Sequence, residues 1–464
     1  MTSTTQTAAL HELGATEIAD TVRDGAVTPI ELAEALLARI DQYDDRIKSF
    51  SFMERESILI EAQALTDEAK SGDFRGPLHG VPFGIKEQFA LGGAPTLGDW
   101  ADPNPPLAAA DAAVVARLKA AGALLFGKLY MVGPSGTPPT RNPWALDCTP
   151  GGSSSGSGAA VGARFVPFAL SEQTGGSGIR PAAYCGVSGI KPTYGRNSRY
   201  GMFPMVWSTD HACIIATTIR DVAKVFSVTA GFDPRDPTSV VGAEPSLEPP
   251  LSRPPRIGVV TNFFPDMTEP EMQAAILAAA QRLSASGADV VEFALPQSFG
   301  LIWPVNMFLS AGEGGVINAR QESERAAKGL PPRANGVTTM NTRFGMVPAT
   351  IAGLLPATYY LQGQRLRRAL RDETDAAMAP FDAILMATAP GPAPRDPSTS
   401  GDPSLLMPWS ALGNPAISIP GGLSSDGRPL GLQLVAPNMA DEHLLAVGAW
   451  CEDVLGRLPV PDIT

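Results

Sequence analysis

Between Pro150 and Gly158 the chain is almost entirely glycine and serine, and it passes with no polar transition into the apolar run Ala159–Val161. Alone, such a tract reads as a flexible linker. A linker seldom sits inside core-like sequence, so the tract is better explained as a tight backbone passage, where glycine permits unusual dihedrals and close approach. The flanking pattern agrees. Val81–Ile85 reads as a strand ending in Lys86, Asp111–Ala121 as a helix, and Ala123–Phe126 as a buried strand after the Gly122 stop. Ala159–Arg164 reads as helical, and Phe165–Leu170 as a strand closed by Gln173-Thr174-Gly175-Gly176-Ser177.

The first seventy-five residues read as helical. Thr28, Pro29 and Glu31 supply a hydroxyl cap, a proline at the first helical position and a capping-box glutamate, with Leu32, Ala35, Leu36 and Ile40 following at helical spacing. Downstream, Arg256–Val260 and Asp289–Phe293 read as strands around a helix that begins near Thr268. Asp382–Met386 and Leu430–Val435 are further strands, and the proline-rich stretch from Glu244 to Pro255 is a linker or long surface loop. Strands alternating with helices predict an α/β fold with a mostly parallel sheet.

Composition narrows the function classes. The chain has 464 residues, 44% hydrophobic and 18% charged, which describes a globular protein with a large core. A net charge of −12 disfavours a nucleic-acid backbone as partner. No apolar run is long enough to span a bilayer. Residues Met1–Gly14 lack a basic start followed by an apolar stretch and do not read as a signal peptide. Cys148, Cys185, Cys213 and Cys451 are scattered, which argues against a disulfide framework and fits a reducing cytoplasm.

Two motifs mislead. Gly122–Lys128 has Walker A spacing, but Leu129 stands where a magnesium-binding hydroxyl is needed, and the glycines bracket an apolar strand. Gly152-Ser153-Ser154-Ser155-Gly156 fits the G-x-S-x-G elbow, with His211 and His443 downstream as formal partners in contexts that do not look catalytic. No pair among His11, His79, His211 and His443 has metal-ligand spacing, so neither metal nor cofactor is expected.

Amide cleavage needs an activated hydroxyl, a base and donors for the developing oxyanion. Thr174-Gly175-Gly176-Ser177 offers consecutive N–H groups on a turn after a strand, and Ser177 could present its hydroxyl there; an ordinary glycine-rich turn reads equally well. Without a convincing histidine the base would be a lysine, which works when burial makes it neutral part of the time. Lys86 closes an apolar strand, and Lys128 and Lys191 are rivals that pattern alone does not eliminate.

At this point the sequence resembles the amidase signature family. Pro150–Val161 is similar to its Gly/Ser-rich signature, and Gln173–Ala182 to its nucleophile segment. Ser153 and Ser177 stand 24 residues apart, the family's spacing, and Gly80–Lys86 is similar to its lysine segment, which selects Lys86. Phe126-Gly127-Lys128, Asn142-Pro143-Trp144, Tyr184–Val187, Lys191–Gly195 and Gly413–Ala416 add to the likeness. Gln173 stands where many members carry an acid, and Gly178 intervenes before Ile179-Arg180.

The resemblance implies one domain over residues 1–464, with a helical part at about 1–75, a catalytic core at about 76–230 and a variable, substrate-determining part at about 250–380. It implies a large mixed, mostly parallel central sheet with helices on both faces. It implies Ser177 as nucleophile, Ser153 as relay entered through a cis peptide bond, Lys86 as base, and the amides of Thr174, Gly175, Gly176 and Ser177 as oxyanion hole. Met131, Pro134 and Ser135 would lie near the substrate. Trp303, Met307, Phe308, Met340 and Phe344 could line an apolar pocket or simply pack in the core. The implied activity is hydrolysis of small-to-medium amides or carbamates by a cytoplasmic monomer or homodimer with no nucleic-acid or membrane partner. The alternative is the glutaminase-type subunit of a tRNA-dependent amidotransferase.

Overall fold

The computed structural model describes residues 9–95, 107–133, 136–241, 245–246, 251–327, 329 and 356–463. Eleven strands form one sheet among these residues. In chain order they are β1 (Phe50–Phe52), β2 (Pro82–Lys86), β3 (Leu124–Leu129), β4 (Phe168–Gln173), β5 (Ser188–Lys191), β6 (His211–Ala216), β7 (Arg256–Val260), β8 (Asp289–Phe293), β9 (Ala383–Ala387), β10 (Ala416–Leu423) and β11 (Pro429–Val435). Their spatial order is β1-β3-β2-β4-β6-β5-β10-β11-β9-β7-β8.

The mixed α/β sheet is as expected, but the expected parallel majority is not. Among the described strands four pairings are parallel and six antiparallel. The parallel pairs sit on the two flanks, where helices such as Ala113–Ala120 and Pro270–Ala285 carry the chain between neighbouring strands. The centre is antiparallel: a short loop joins β10 to β11, β6 returns between β4 and β5, and β10 meets β5 from far along the chain.

Every residue of β2, β4, β5, β6, β9 and β11 is buried, so both faces of the central sheet are covered. The N-terminal helix Pro29–Ile47 starts as its sequence dictates: Thr28 Oγ1 accepts from Glu31 N at 3.3 Å, and Glu31 Oε2 accepts from Thr28 N at 2.9 Å.

The glycine-serine tract runs into a buried helix and is not a linker. Helix Ser155–Gly162 has all eight residues buried, and it begins earlier than the apolar pattern suggested. A Cβ at Gly156 would lie 2.5 Å from Ser49 O, and one at Gly158 would lie 2.7 Å from Pro181 Cβ. Glycine lets this helix press against the β1–β3 edge and the short helix Ile179–Tyr184. That contact fixes where Ser153, just before the helix, meets the turn that carries Ser177.

Candidate active site

Parallel neighbours β2 and β4 end side by side, with Ile85 opposite Leu170, so Lys86 and Glu172 emerge together at their carboxyl ends. Lys86 is completely buried. Its Nζ donates to Ser153 Oγ at 2.8 Å and to Glu172 Oε2 at 2.7 Å, and lies 3.4 Å from Glu172 O. Ser153 follows a cis Gly152–Ser153 peptide bond and is half-buried. Ser154 N donates to Ser177 O at 3.4 Å, which draws the tract onto the Thr174–Ser177 turn. Thr174, Gly175 and Ser177 are half-buried, and among the described residues no protein acceptor takes the backbone N–H of Thr174, Gly175, Gly176 or Ser177. Lys86, Ser153 and the Ser177 turn therefore converge on one partly open spot.

The rival lysines face elsewhere. Lys128 Nζ donates to Pro95 O at 2.6 Å and lies 3.2 Å from Glu87. Lys191 Nζ donates to Pro192 O at 3.2 Å and to Asn414 O, and burial pulls it down to about 8. The elbow reading also fails: Ser154 is fully buried, with its Oγ 3.2 Å from both Glu172 O and Glu172 N. His211 Nδ1 is held by Thr209 O at 2.6 Å, and His443 pairs with Asp382 at 2.9 Å.

The substitution of glutamine for an acid at residue 173 has a local cause. Gln173 Oε1 accepts from Gly178 N at 3.1 Å and Ile179 N at 3.2 Å, while Nε2 donates to Ser410 Oγ at 3.0 Å. It thus ties down the chain just after Ser177, and through Ser410, whose Oγ donates to Gly175 O at 2.9 Å, it also braces the turn before it. Successive strand residues face opposite ways, so Glu172, one residue earlier, points to Lys86 instead. Sequence reasoning passed over Glu172; the signal was an acid closing an otherwise apolar strand. It also passed over Asp210, which lies just before β6. Thr174 Oγ1 is 2.8 Å from both Glu172 Oε1 and Asp210 Oδ1. Burial, with Glu172 next, pushes Asp210 up to about 7.

Arg180, fully enclosed, donates from Nη2 to Gly152 O at 2.5 Å, and burial lowers its pKa. The segment around Ser400–Leu406 forms a wall that sequence reasoning did not place. Gly152 N donates to Ser400 O at 3.1 Å, and Pro403 and Leu406 face Gly176. On the other side Val132 N donates to Ser153 O at 2.9 Å, so buried Met131 flanks the tract. Pro134, Ser135, Met340 and Phe344 lie outside the described residues. Trp303 packs among Phe263, Phe264 and Phe299, with ring centroids 5.5–6.0 Å away. Met307 is exposed and Phe308 half-buried.

A family model described as Amidase matches residues 31–445. The chain belongs to the amidase family. It is 34% identical to a glutamyl-tRNA(Gln) amidotransferase subunit of Roseiflexus sp. (strain RS-1), over 95% of this chain and 96% of that one. Among solved structures it resembles the peptide amidase of Stenotrophomonas maltophilia at 27% identity, with a TM-score of 0.83 over 97% of this chain and 99% of that one. A chain from a vestigial protein complex connected with the origins of an s-triazine catabolic enzyme matches at 31% identity and a TM-score of 0.82, over 97% and 100%. Hydrolysis of amide C–N bonds is thus the chemistry of its family. No helix among the described residues is long and apolar enough to cross a membrane.

Proposed function

We propose that this amidase cleaves an amide through an acyl-enzyme on Ser177, with Ser153 as relay and Lys86 as base. The observation that carries this reading is the 2.8 Å hydrogen bond from Lys86 Nζ to Ser153 Oγ, at the point where the tract meets the Ser177 turn. Neutral Lys86 takes the Ser153 proton as Ser153 takes that of Ser177. The Ser177 oxygen then attacks the carbonyl carbon. The unclaimed N–H groups of Thr174, Gly175, Gly176 and Ser177 face the developing oxyanion and stabilise it electrostatically. When the C–N bond breaks, the proton returns through Ser153 to the leaving amine, and water then releases the acid from Ser177.

Two substrate readings share this chemistry. One is a free-standing hydrolase of small-to-medium amides or carbamates bound near Met131, in a cytoplasmic monomer or homodimer. The second is the glutamine-cleaving subunit of a tRNA-dependent amidotransferase. Near-equal length and 34% identity to an amidotransferase chain favour this second reading over carbamate cleavage. It would bring partner chains and tRNA into the protein's surroundings despite the net charge of −12.

The experiment that separates them incubates the purified chain, alone and with its cognate partner chains, with anilides, aliphatic amides, aryl carbamates and glutamine, alongside Ser177→Ala, and follows products by mass spectrometry. Turnover of an anilide, amide or carbamate by the wild type alone supports the free-standing hydrolase. Glutamine turnover that appears only with the cognate partner chains supports the amidotransferase reading.

A further inference from the structure

Behind Lys86 lies a set of buried groups that the proposed steps do not use. Glu172 is buried at the end of β4, and Asp210 is buried where the chain enters β6. Thr174 Oγ1 lies between them, 2.8 Å from an oxygen of each. A hydroxyl carries one proton and can donate to only one carboxylate. Two ionised carboxylates at those distances would leave one contact without a proton, and two buried like charges next to each other. The geometry therefore requires one proton on the carboxyl pair.

Partners decide where it resides. Glu172 Oε2 already accepts from Lys86 Nζ at 2.7 Å, so a proton on Glu172 would forfeit an ion pair. Asp210 Oδ2 accepts from Met205 N at 2.7 Å and Val206 N at 2.9 Å, while Oδ1 faces only the longer, shared contact from Val206 N at 3.0 Å, so Oδ1 is the oxygen better placed to carry the proton toward Thr174. The arrangement is then Asp210 Oδ1–H to Thr174 Oγ1, Thr174 O–H to Glu172 Oε1, and Lys86 N–H to Glu172 Oε2. Each donor has one acceptor. Burial, which raises Asp210 to about 7, agrees with this order.

We propose that Glu172 is a positioning residue for Lys86, and that it forms with Asp210, through Thr174, a one-proton carboxyl pair that governs how readily the base exchanges its proton with Ser153. This rests on the functional reading above. A carboxylate within hydrogen-bond distance of an amine opposes loss of its proton, so the pair sets the pH at which Ser177 becomes active. The other titratable groups near the pair are Cys213 on β6 and Tyr194, both raised by burial. Lys191, lowered to about 8, lies beyond Cys213, and His211, held well below its usual value by burial, follows Asp210.

The test uses a fluorophosphonate probe, so no natural substrate is needed. The Ser177 oxygen bonds phosphorus, fluoride leaves with the P–F electron pair, and the Ser177 proton passes to Ser153 and Lys86. The labelling rate is followed against pH for wild type, Glu172→Gln and Lys86→Met, with the labelled peptide identified by mass spectrometry. In parallel, infrared difference spectra of wild type against Asp210→Asn read the protonated-carboxyl band at pH 6.

Glu172→Gln is expected to move the acid limb of the labelling profile down by about one to three pH units and to lower the plateau rate. Asp210→Asn should remove the protonated-carboxyl band. An unmoved limb in folded Glu172→Gln overturns the proposal, as does the absence of an Asp210-dependent band in wild type. The band decides alone if Glu172→Gln does not fold. Labelling of Ser177 that persists at wild-type speed in Lys86→Met, or wild-type labelling elsewhere than Ser177, defeats the functional reading instead.

Discussion

Lys86 and Lys191 are both fully buried lysines at the ends of buried strands, yet their surroundings differ in kind. Lys86 meets a carboxylate and the hydroxyl of half-buried Ser153. Lys191 meets the carbonyl oxygens of Pro192 and Asn414. A carbonyl accepts a hydrogen bond but has no proton to exchange, so Lys191 can anchor chain and nothing more. Burial alone does not make a base. A hydroxyl partner at the edge of open space does, and the Lys86 region has one where the Lys191 region does not.

The most direct way to break this contrast is mutation of the serine-lysine set. Ser177→Ala and Lys86→Ala should each lower amide turnover by about 1,000-fold or more per folded molecule. They should differ in stability. Ser177→Ala removes a half-buried hydroxyl and should melt like wild type, whereas Lys86→Ala strands the buried Glu172 carboxylate and should cost about 3–5 kcal/mol. Denaturant melts paired with turnover assays check both effects.

Lys191→Met is the matching change on the other side. It leaves two carbonyls unpartnered and no buried carboxylate, so the cost should be about 1–3 kcal/mol, with kcat and KM near wild type. Lys191 also has a pH signature. Its folded pKa of about 8 lies below its ordinary 10.5, so between these values the unfolded chain binds more protons than the folded one. Its contribution to stability is present above 10.5 and lost as pH falls through about 8. Melts across that window should show stability rising with pH in wild type and a flatter profile in Lys191→Met.

Asp210 carries the opposite sign. Its folded pKa of about 7 lies above its ordinary 3.8, so its contribution is fully present below 3.8 and lost as pH rises through about 7. Asp210→Asn should flatten that part of the stability profile. The smallest effect belongs to Ser154→Ala. Its hydroxyl braces the Glu172 backbone, and its loss should cost about 1 kcal/mol and slow turnover only a few-fold, measured by the same melts and assays.

Much of this architecture was legible from residue pattern, and the exceptions have physical reasons. β7 and β8 have the bounds that their β-branched runs suggest, and the Thr28 cap forms as its sequence dictates. β5 and β6 escaped: Ser188–Lys191 is very short, and His211–Ala216 is buried on both faces and so lacks alternation. Strand pairing escaped as well, because periodicity marks strands without saying which neighbours they choose. At the site, the resemblance brought Lys86, Ser153 and Ser177 together, and the structure sets Lys86 on Ser153 beside the Ser177 turn. Glu172 was hidden by its neighbour: Gln173 stands in the family's acidic position, while Glu172 faces the opposite side of the same strand. Asp210 lies 36 residues from Thr174 in sequence, and only the antiparallel pairing of β4 with β6 brings them together.

In the proposed mechanism the acyl group passes through Ser177. Wild type is mixed with an activated aryl amide or ester, quenched in acid within the first turnover, digested and read by mass spectrometry. The account predicts an acyl adduct on the peptide containing Ser177, absent from Ser177→Ala, which also loses turnover. Turnover by Ser177→Ala at the wild-type rate, or an adduct on any other residue, would contradict it.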